Sequence, residues 1–299
     1  MNIRQIILVF LLFLGLSIPV YAGEEPLYMH AGYVLEGTNA VPARDLQLGY
    51  DFVAKRYNKN YNIIVDFTYY TNQEEAIALF NQGKLGYIGM PMATYASMDT
   101  KLKMHMGEVF LSAKTEDILE PYIALVRQAD TSTLKSFRGK KAALEEKDVN
   151  SIAYIDMLSL QRFNARYFDS FEIQYTPSSQ RAILMVFFQK ADIAFVPLRS
   201  WEMAKLMNPA LEKNLKIIDK SPSAFGYGIE FYNKNLSPKL HAAVVKMHND
   251  LTSSEDGKQL LSIMKVKKRI QIDPNQINSY IGYYLQYETL LKQYKGTLK

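Results

Sequence analysis

The chain of 299 residues has no cysteine. That absence excludes disulfides, thiolate catalysis, cysteine-based metal sites and a lipidated-cysteine anchor together. Its four histidines, His30, His105, His241 and His248, lack the spacing of metal ligands. His241 and His248 could share a helix face, but no third ligand stands near them. No Gly-x-Ser-x-Gly sequence offers a nucleophile elbow. Gly83, Gly86 and Gly89 are not followed by the helix start that a nucleotide cradle needs. No nucleophile, base and oxyanion donors assemble, so neither an enzyme nor a cofactor or metal is expected. Low-complexity segments and long linkers are also missing.

What is present describes a globular protein of one large or two medium domains. Hydrophobic residues make up 48% and charged residues 22%, enough to bury ordinary cores. The net charge of +5 is scattered. Its densest cluster, Lys265 to Arg269, reads as cations favoured at the end of the preceding helix, and no nucleic-acid partner is expected. The first residues read as a signal peptide. Arg4 supplies the positive region, Ile6 to Leu16 the apolar core, and Val20-Tyr21-Ala22 the cleavage site. Cleavage after Ala22 and a periplasmic home follow as expectations. No later segment is apolar enough to cross a membrane.

The most informative stretch is Ser178 to Trp201. Hydroxyls are followed by apolar residues at helical spacing (Ile183, Leu184, Val186, Phe187), a break at Gln189-Lys190, and a strand-like run ending at Pro197. The segment from Gln73 to Pro91 has the same order at a constant offset of 106. Ala76 then falls on Ala182, Ile77 on Ile183, Lys84 on Lys190 and Pro91 on Pro197. Elsewhere strand-like and helix-like segments alternate without hairpin turns, which predicts βαβ units and mainly parallel sheets in two α/β lobes. A helix is expected over Ala43 to Tyr57, and a tyrosine-rich one over Asn275 to Tyr294, its stripe packing on a lobe. We expect 23–120 to form the first part of lobe one, 121–221 lobe two, 222–273 the completion of lobe one, and 274–299 the C-terminal helix.

In order and spacing the sequence resembles the periplasmic phosphate, phosphite and phosphonate solute-binding family of ABC importers. The resemblance runs from about Leu27 to about Lys268. It is carried by Glu74 to Pro91, Leu134-Lys135-Ser136-Phe137-Arg138-Gly139-Lys140-Lys141, Asn150-Ser151, Ser178 to Asp192, and Ser221-Pro222. It implies a type 2 periplasmic-binding-protein fold with ligand held between two lobes. A helix start suits an anion because its free N–H groups carry partial positive charge. The resemblance therefore implies anion donors at Asn150, Ser151, Ser178 and Ser179, with Arg199 as charge partner. Gln73, Tyr33 and Met90 or Tyr95 would line lobe one. The implied partners are a small anionic ligand and the membrane permease of a transporter, the protein being a monomer.

Departures from the family pattern bear on the ligand. Asn150-Ser151-Ile152-Ala153 stands where phosphonate binders carry a Ser-Thr-Ser-Gly-like run. Ser179 replaces a common histidine, Gln73 a common tyrosine, and Arg199 a carboxylate that would meet an amine. Glu145, Glu146 and Asp148 are read as solvated acids that stabilise the next helix start. A second reading thus stands beside transport: a sensory or interaction module of the same fold, reporting to a membrane sensor, with phosphonate binding altered or lost.

Overall fold

The computed structural model describes residues 25–34, 51, 54–55, 59–97, 105–113, 118–131, 133–146, 148–226, 228–263 and 267–297. The expected signal peptide and most of the expected helix from Ala43 to Tyr57 lie outside them.

Lobe one opens with β1 (Leu27–Val34) and β2 (Ile63–Tyr70), then α1 (Gln73–Asn81), β3 (Tyr87–Pro91), α2 (Met92–Ser97) and β4 (Met106–Ala113). The chain crosses to lobe two for β5 (Tyr122–Arg127), β6 (Lys141–Glu145), α3 (Val149–Phe163), α4 (Tyr167–Ser170) and β7 (Glu172–Thr176). There follow α5 (Ser179–Phe187), β8 (Ile193–Pro197), α6 (Leu198–Met207), α7 (Ala210–Asn214) and β9 (Leu215–Lys220). It returns to lobe one for β10 (Gly228–Asn233), α8 (Pro238–Ser253), α9 (Glu255–Ile263) and β11 (Lys268–Ile272). The last helix is α10 (Asn278–Thr297).

Two sheets result, ordered β11-β4-β10-β3-β1-β2 and β7-β6-β8-β5-β9. Each is mixed rather than mainly parallel. The βαβ pairs β1–β2, β1–β3, β6–β7 and β6–β8 are parallel, as the alternating elements predict. The strands next to the crossings run the other way: β5 is antiparallel to β8, and β10 to β3 and β4. Between the lobes the two crossing segments pair with each other at Glu120 and Phe225, exchanging backbone bonds of 2.9 and 3.2 Å.

Both faces of each sheet are buried, which explains the near-continuous apolar runs in β5 and β8. In lobe one Phe80, Ile88, Ile229 and Phe231 fill one face, while Met29, Tyr87, Phe110 and Val244 fill the other. In lobe two Tyr122, Tyr154 and Phe195 lie on one face, with Ile183, Val186 and Trp201 opposite. The strand β4 falls where the sequence reading placed no element. Its neighbours Lys101, Lys103 and His105 hide a strand that is sheltered only because β10 and β11 flank it.

The cationic cluster also differs from its reading. Lys268 and Arg269 begin β11, and Arg269, 7% exposed, forms an ion pair with Glu230, 5% exposed, on β10. It also donates to the Tyr87 hydroxyl at 3.1 Å. Tertiary pairing has overridden a charge pattern that suits a solvated helix end. One partner alone would be a buried charge costing several kcal/mol, roughly 3–5.

The repeated pattern coincides element by element. Helix α1 and strand β3 map onto α5 and β8 at the same offset of 106, both ends included. The connecting turns match bond for bond. Lys84 N donates to Leu79 O at 2.9 Å and Lys190 N to Met185 O at 2.7 Å, each closing its helix end. Gly83 takes the left-handed conformation at φ +72°, and its counterpart Gln189 takes it at +60°. A side chain there costs roughly 1 kcal/mol that glycine avoids. Gln189→Gly is therefore expected to stabilise the protein by up to about 1 kcal/mol, read as a higher melting temperature.

His248 sits beneath lobe one, 5% exposed, with its ring 3.7 Å from that of Phe110. Its Nδ1 lies 3.1 Å from the Tyr232 hydroxyl. Burial lowers its pKa from 6.5 to about 4. Between those values the unfolded chain holds a proton that the folded protein lacks. Stability should be full above about pH 6.5 and fall as pH drops toward 4, by up to about 3 kcal/mol. Denaturant unfolding of wild type and His248→Gln across this range should show a flatter slope for the variant.

Candidate functional site

Helix starts at the carboxyl ends of parallel strands are the usual place for a ligand in α/β sheets. In lobe two β6 runs into α3 and β7 into α5, so two helix N-termini sit on adjacent strands. Both are occupied by the protein's own carboxylates.

At α3 the cap is Asp148. Asp148 accepts the Asn150 N–H at 3.1 Å and the Ser151 hydroxyl at 2.8 Å. The Tyr122 hydroxyl from β5 lies 2.9 Å from both carboxylate oxygens. Burial raises the Asp148 pKa above the usual carboxylate range, the hydrogen bonds from Ser151 and Tyr122 oppose this, and the Glu145 charge adds to it. At α5 the amide and hydroxyl of Ser179 both donate to Glu145, at 3.0 and 2.7 Å. Glu145 and Asp148 therefore point inward, against the solvated reading. Only Glu146 is exposed. Burying each carboxylate is compensated by backbone N–H and hydroxyl donors, the same chemistry that holds a free oxyanion.

The remaining predicted donors are also engaged. Asn150, 8% exposed, donates its side-chain amide to the Gly226 carbonyl at 3.1 Å, on the segment returning to lobe one. Ser151 is fully buried, with its hydroxyl also 3.3 Å from the Phe195 carbonyl. Ser178 caps α5 by accepting the Arg181 N–H at 3.3 Å. Arg199 stands in the first turn of α6, partly exposed and itself in contact with a partner group.

In lobe one, Gln73 is the first residue of α1 and partly exposed. The Asn72 carboxamide caps that helix by accepting from the amides of Glu74 and Glu75. Tyr33, the last residue but one of β1, lays its ring across the sheet. A Cβ at Gly89 would lie 2.4 Å from that ring, and one at Gly228 would lie 2.9 Å from its hydroxyl. These glycines make room for the tyrosine, a requirement that becomes visible only once β1, β3 and β10 lie side by side. Burial raises the Tyr33 pKa, and the nearby Arg269 charge opposes it. Met90 and Tyr95 are 0% and 4% exposed and belong to the lobe-one core, where Tyr95 packs on Phe231 at 5.1 Å. Their surface is taken up by packing, whereas Tyr33 and Gln73 are partly exposed.

Sequence reasoning passed over Tyr122 and Gly226, and mistook the orientation of Glu145 and Asp148. An aspartate two residues before an expected helix is a visible cap signal. A tyrosine arriving from another strand leaves no local trace. Among the described residues no three of histidine, aspartate and glutamate converge as a metal site, and no helix is long and apolar enough to cross a membrane.

Two α/β sheets joined by paired crossings, with helix starts at their strand ends, define a two-lobed fold of the periplasmic-binding-protein type. The family model described as ABC transporter, phosphonate, periplasmic substrate-binding protein matches residues 40–277, and the chain belongs to that family. Members are transporter components that bind small solutes and meet membrane permeases. No curated protein matches the sequence. Among solved structures, the chain is similar to the binding component of an ABC phosphonate transporter from Pseudomonas aeruginosa, at 13% identity and TM-score 0.52, covering 90% of this chain and 89% of that one. PhnD1 of Prochlorococcus marinus in complex with methylphosphonate is 14% identical with TM-score 0.50, over 88% and 99% of the two chains. A Xanthomonas citri protein solved with ATP is 11% identical with TM-score 0.55, over 89% and 98%.

Asp148 ties a helix cap to a buried tyrosine. Asp148→Ala is expected to cost about 2 kcal/mol, from loss of the cap and an unpartnered Tyr122 hydroxyl. Asp148→Asn, which keeps a capping acceptor, should cost less than half of that. Chemical denaturation of the two variants checks the order.

Proposed function

We propose that the mature chain, residues 23–299 after cleavage behind Ala22, is the periplasmic solute-binding component of an ABC importer. As a monomer it closes its lobes on a small phosphonate- or phosphate-like oxyanion and presents it to a membrane permease, with no catalytic step. The observation that carries this reading is the pair of helix starts in lobe two. Each already holds a carboxylate by one backbone N–H and at least one hydroxyl, donors of the kind that hold an oxyanion. Arg199 supplies cationic charge. Gln73 and Tyr33 meet the ligand from lobe one. Contacts from both lobes favour closure.

The resident carboxylates of Glu145 and Asp148 compete with such a ligand, because like charges a few ångströms apart repel. The ligand reaches these donors by displacing them, so they lower its affinity. The test is a thermal-shift and calorimetry series on wild type and on Glu145→Gln/Asp148→Asn, with methylphosphonate, 2-aminoethylphosphonate, phosphite, phosphate and sulfate. A bound ligand at a hundredfold excess over its Kd stabilises by about 2.7 kcal/mol, which such a series detects. A phosphorus oxyanion should bind both proteins, and the double variant more tightly. Silence from both proteins with every oxyanion would remove the ligand assignment and leave the family's solute-binding role intact.

A further inference from the structure

The family match ends at residue 277, and α10 begins at Asn278. This helix touches both lobes, and its tyrosines divide between them. Ile277, fully buried, and Tyr280, 7% exposed, belong to the lobe-one core, with Ile281 and Tyr284 packed against it. The rings of Tyr280 and Tyr284 stack with centroids 6.4 Å apart. Tyr283 instead packs on the lobe-two core, its ring edge-on to Phe225 at 4.9 Å. One turn further, the Tyr287 hydroxyl donates to Asp156 Oδ2 at 2.6 Å. Asp156 is fully buried on α3 and also accepts from Arg166 Nε, at 2.9 and 3.0 Å, and from the Tyr167 amide at 2.9 Å. Residues four apart lie on one helix face. Tyr280 and Tyr284 therefore form a stripe for lobe one, and Tyr283 and Tyr287 a neighbouring stripe for lobe two. On the same face as Tyr283, one turn earlier, the Ser279 hydroxyl donates to the Ser223 carbonyl on the returning segment, at 3.3 Å.

Apart from this helix, the lobes are joined by the segments paired at Glu120 and Phe225 and by the Asn150 amide bonded to the Gly226 carbonyl, a connection about which two domains readily rotate. With it, any rotation that parts the lobes must lift one tyrosine stripe off its lobe. The lobe-one stripe continues from the buried Ile277, so the lobe-two stripe is the one that lets go. We infer that α10 is a strap that fixes the spacing of the two lobes, with the Tyr287–Asp156 hydrogen bond as its releasable link. This holds whatever the cleft binds.

The cysteine-free chain allows a direct test. Spin labels on Ala78→Cys in α1 and Lys190→Cys after α5, both exposed positions, report the distance between lobes by pulsed electron resonance, without added ligand. The mature protein should give one narrow distance. Tyr287→Phe, which keeps the ring and leaves Asp156 its bonds from Arg166 and Tyr167, should add a second, longer distance while the circular dichroism spectrum stays unchanged. Combining it with Tyr283→Leu should make the longer distance dominant. A single narrow distance, unchanged in both folded variants, would overturn the strap and reduce α10 to packing.

Discussion

The exchange of backbone hydrogen bonds between Glu120 and Phe225 is the constraint on which the architecture rests. It clasps the outgoing and returning chain side by side between two sheets that otherwise share no strand. From that clasp β5 enters lobe two and β10 enters lobe one, each antiparallel to a neighbour, and both sheets become mixed. The clasp also brings Gly226 beside Asn150 and Phe225 beside Tyr122 and Tyr154. The clasp and the start of α3 therefore share contacts.

At the site itself, electrostatic satisfaction has been achieved internally. Each helix start in lobe two carries partial positive charge that favours an oxyanion, and Asp148 and Glu145 meet that demand from only a few residues away in sequence or on the adjacent strand. This internal neutralisation stabilises the two helix starts.

Much of the scaffold was legible because its signals are local. The offset of 106 between the two helix–turn–strand units came from apolar periodicity and a shared proline, and their boundaries coincide in space. Capping hydroxyls marked α5, and Ser237-Pro238 is a similar start for α8. What escaped depends on partners distant in sequence. Strand β4 is apolar enough only when flanked by β10 and β11, and Arg269 is a core residue only because Glu230 faces it. The family resemblance implied that Met90, in β3, or Tyr95, in α2, would line a cleft. The half-turn that separates cleft from core cannot be read from a strand buried on both faces.

The position of β10 has a consequence for how the chain acquires its shape. It lies in the middle of its sheet, between β3 and β4, and without it those two strands share no hydrogen bond. Lobe two is continuous from Tyr122 to Lys220, so all its strands have emerged before Gly228 is synthesised or passes through a membrane pore. A chain arriving from its N-terminus therefore completes its second lobe first. The first lobe waits with β4 apart from β1, β2 and β3, its apolar strands exposed, until β10 arrives at residue 233 and β11 closes the sheet at residue 272. Any factor that holds the emerging protein soluble has that interval, and those strands, to protect.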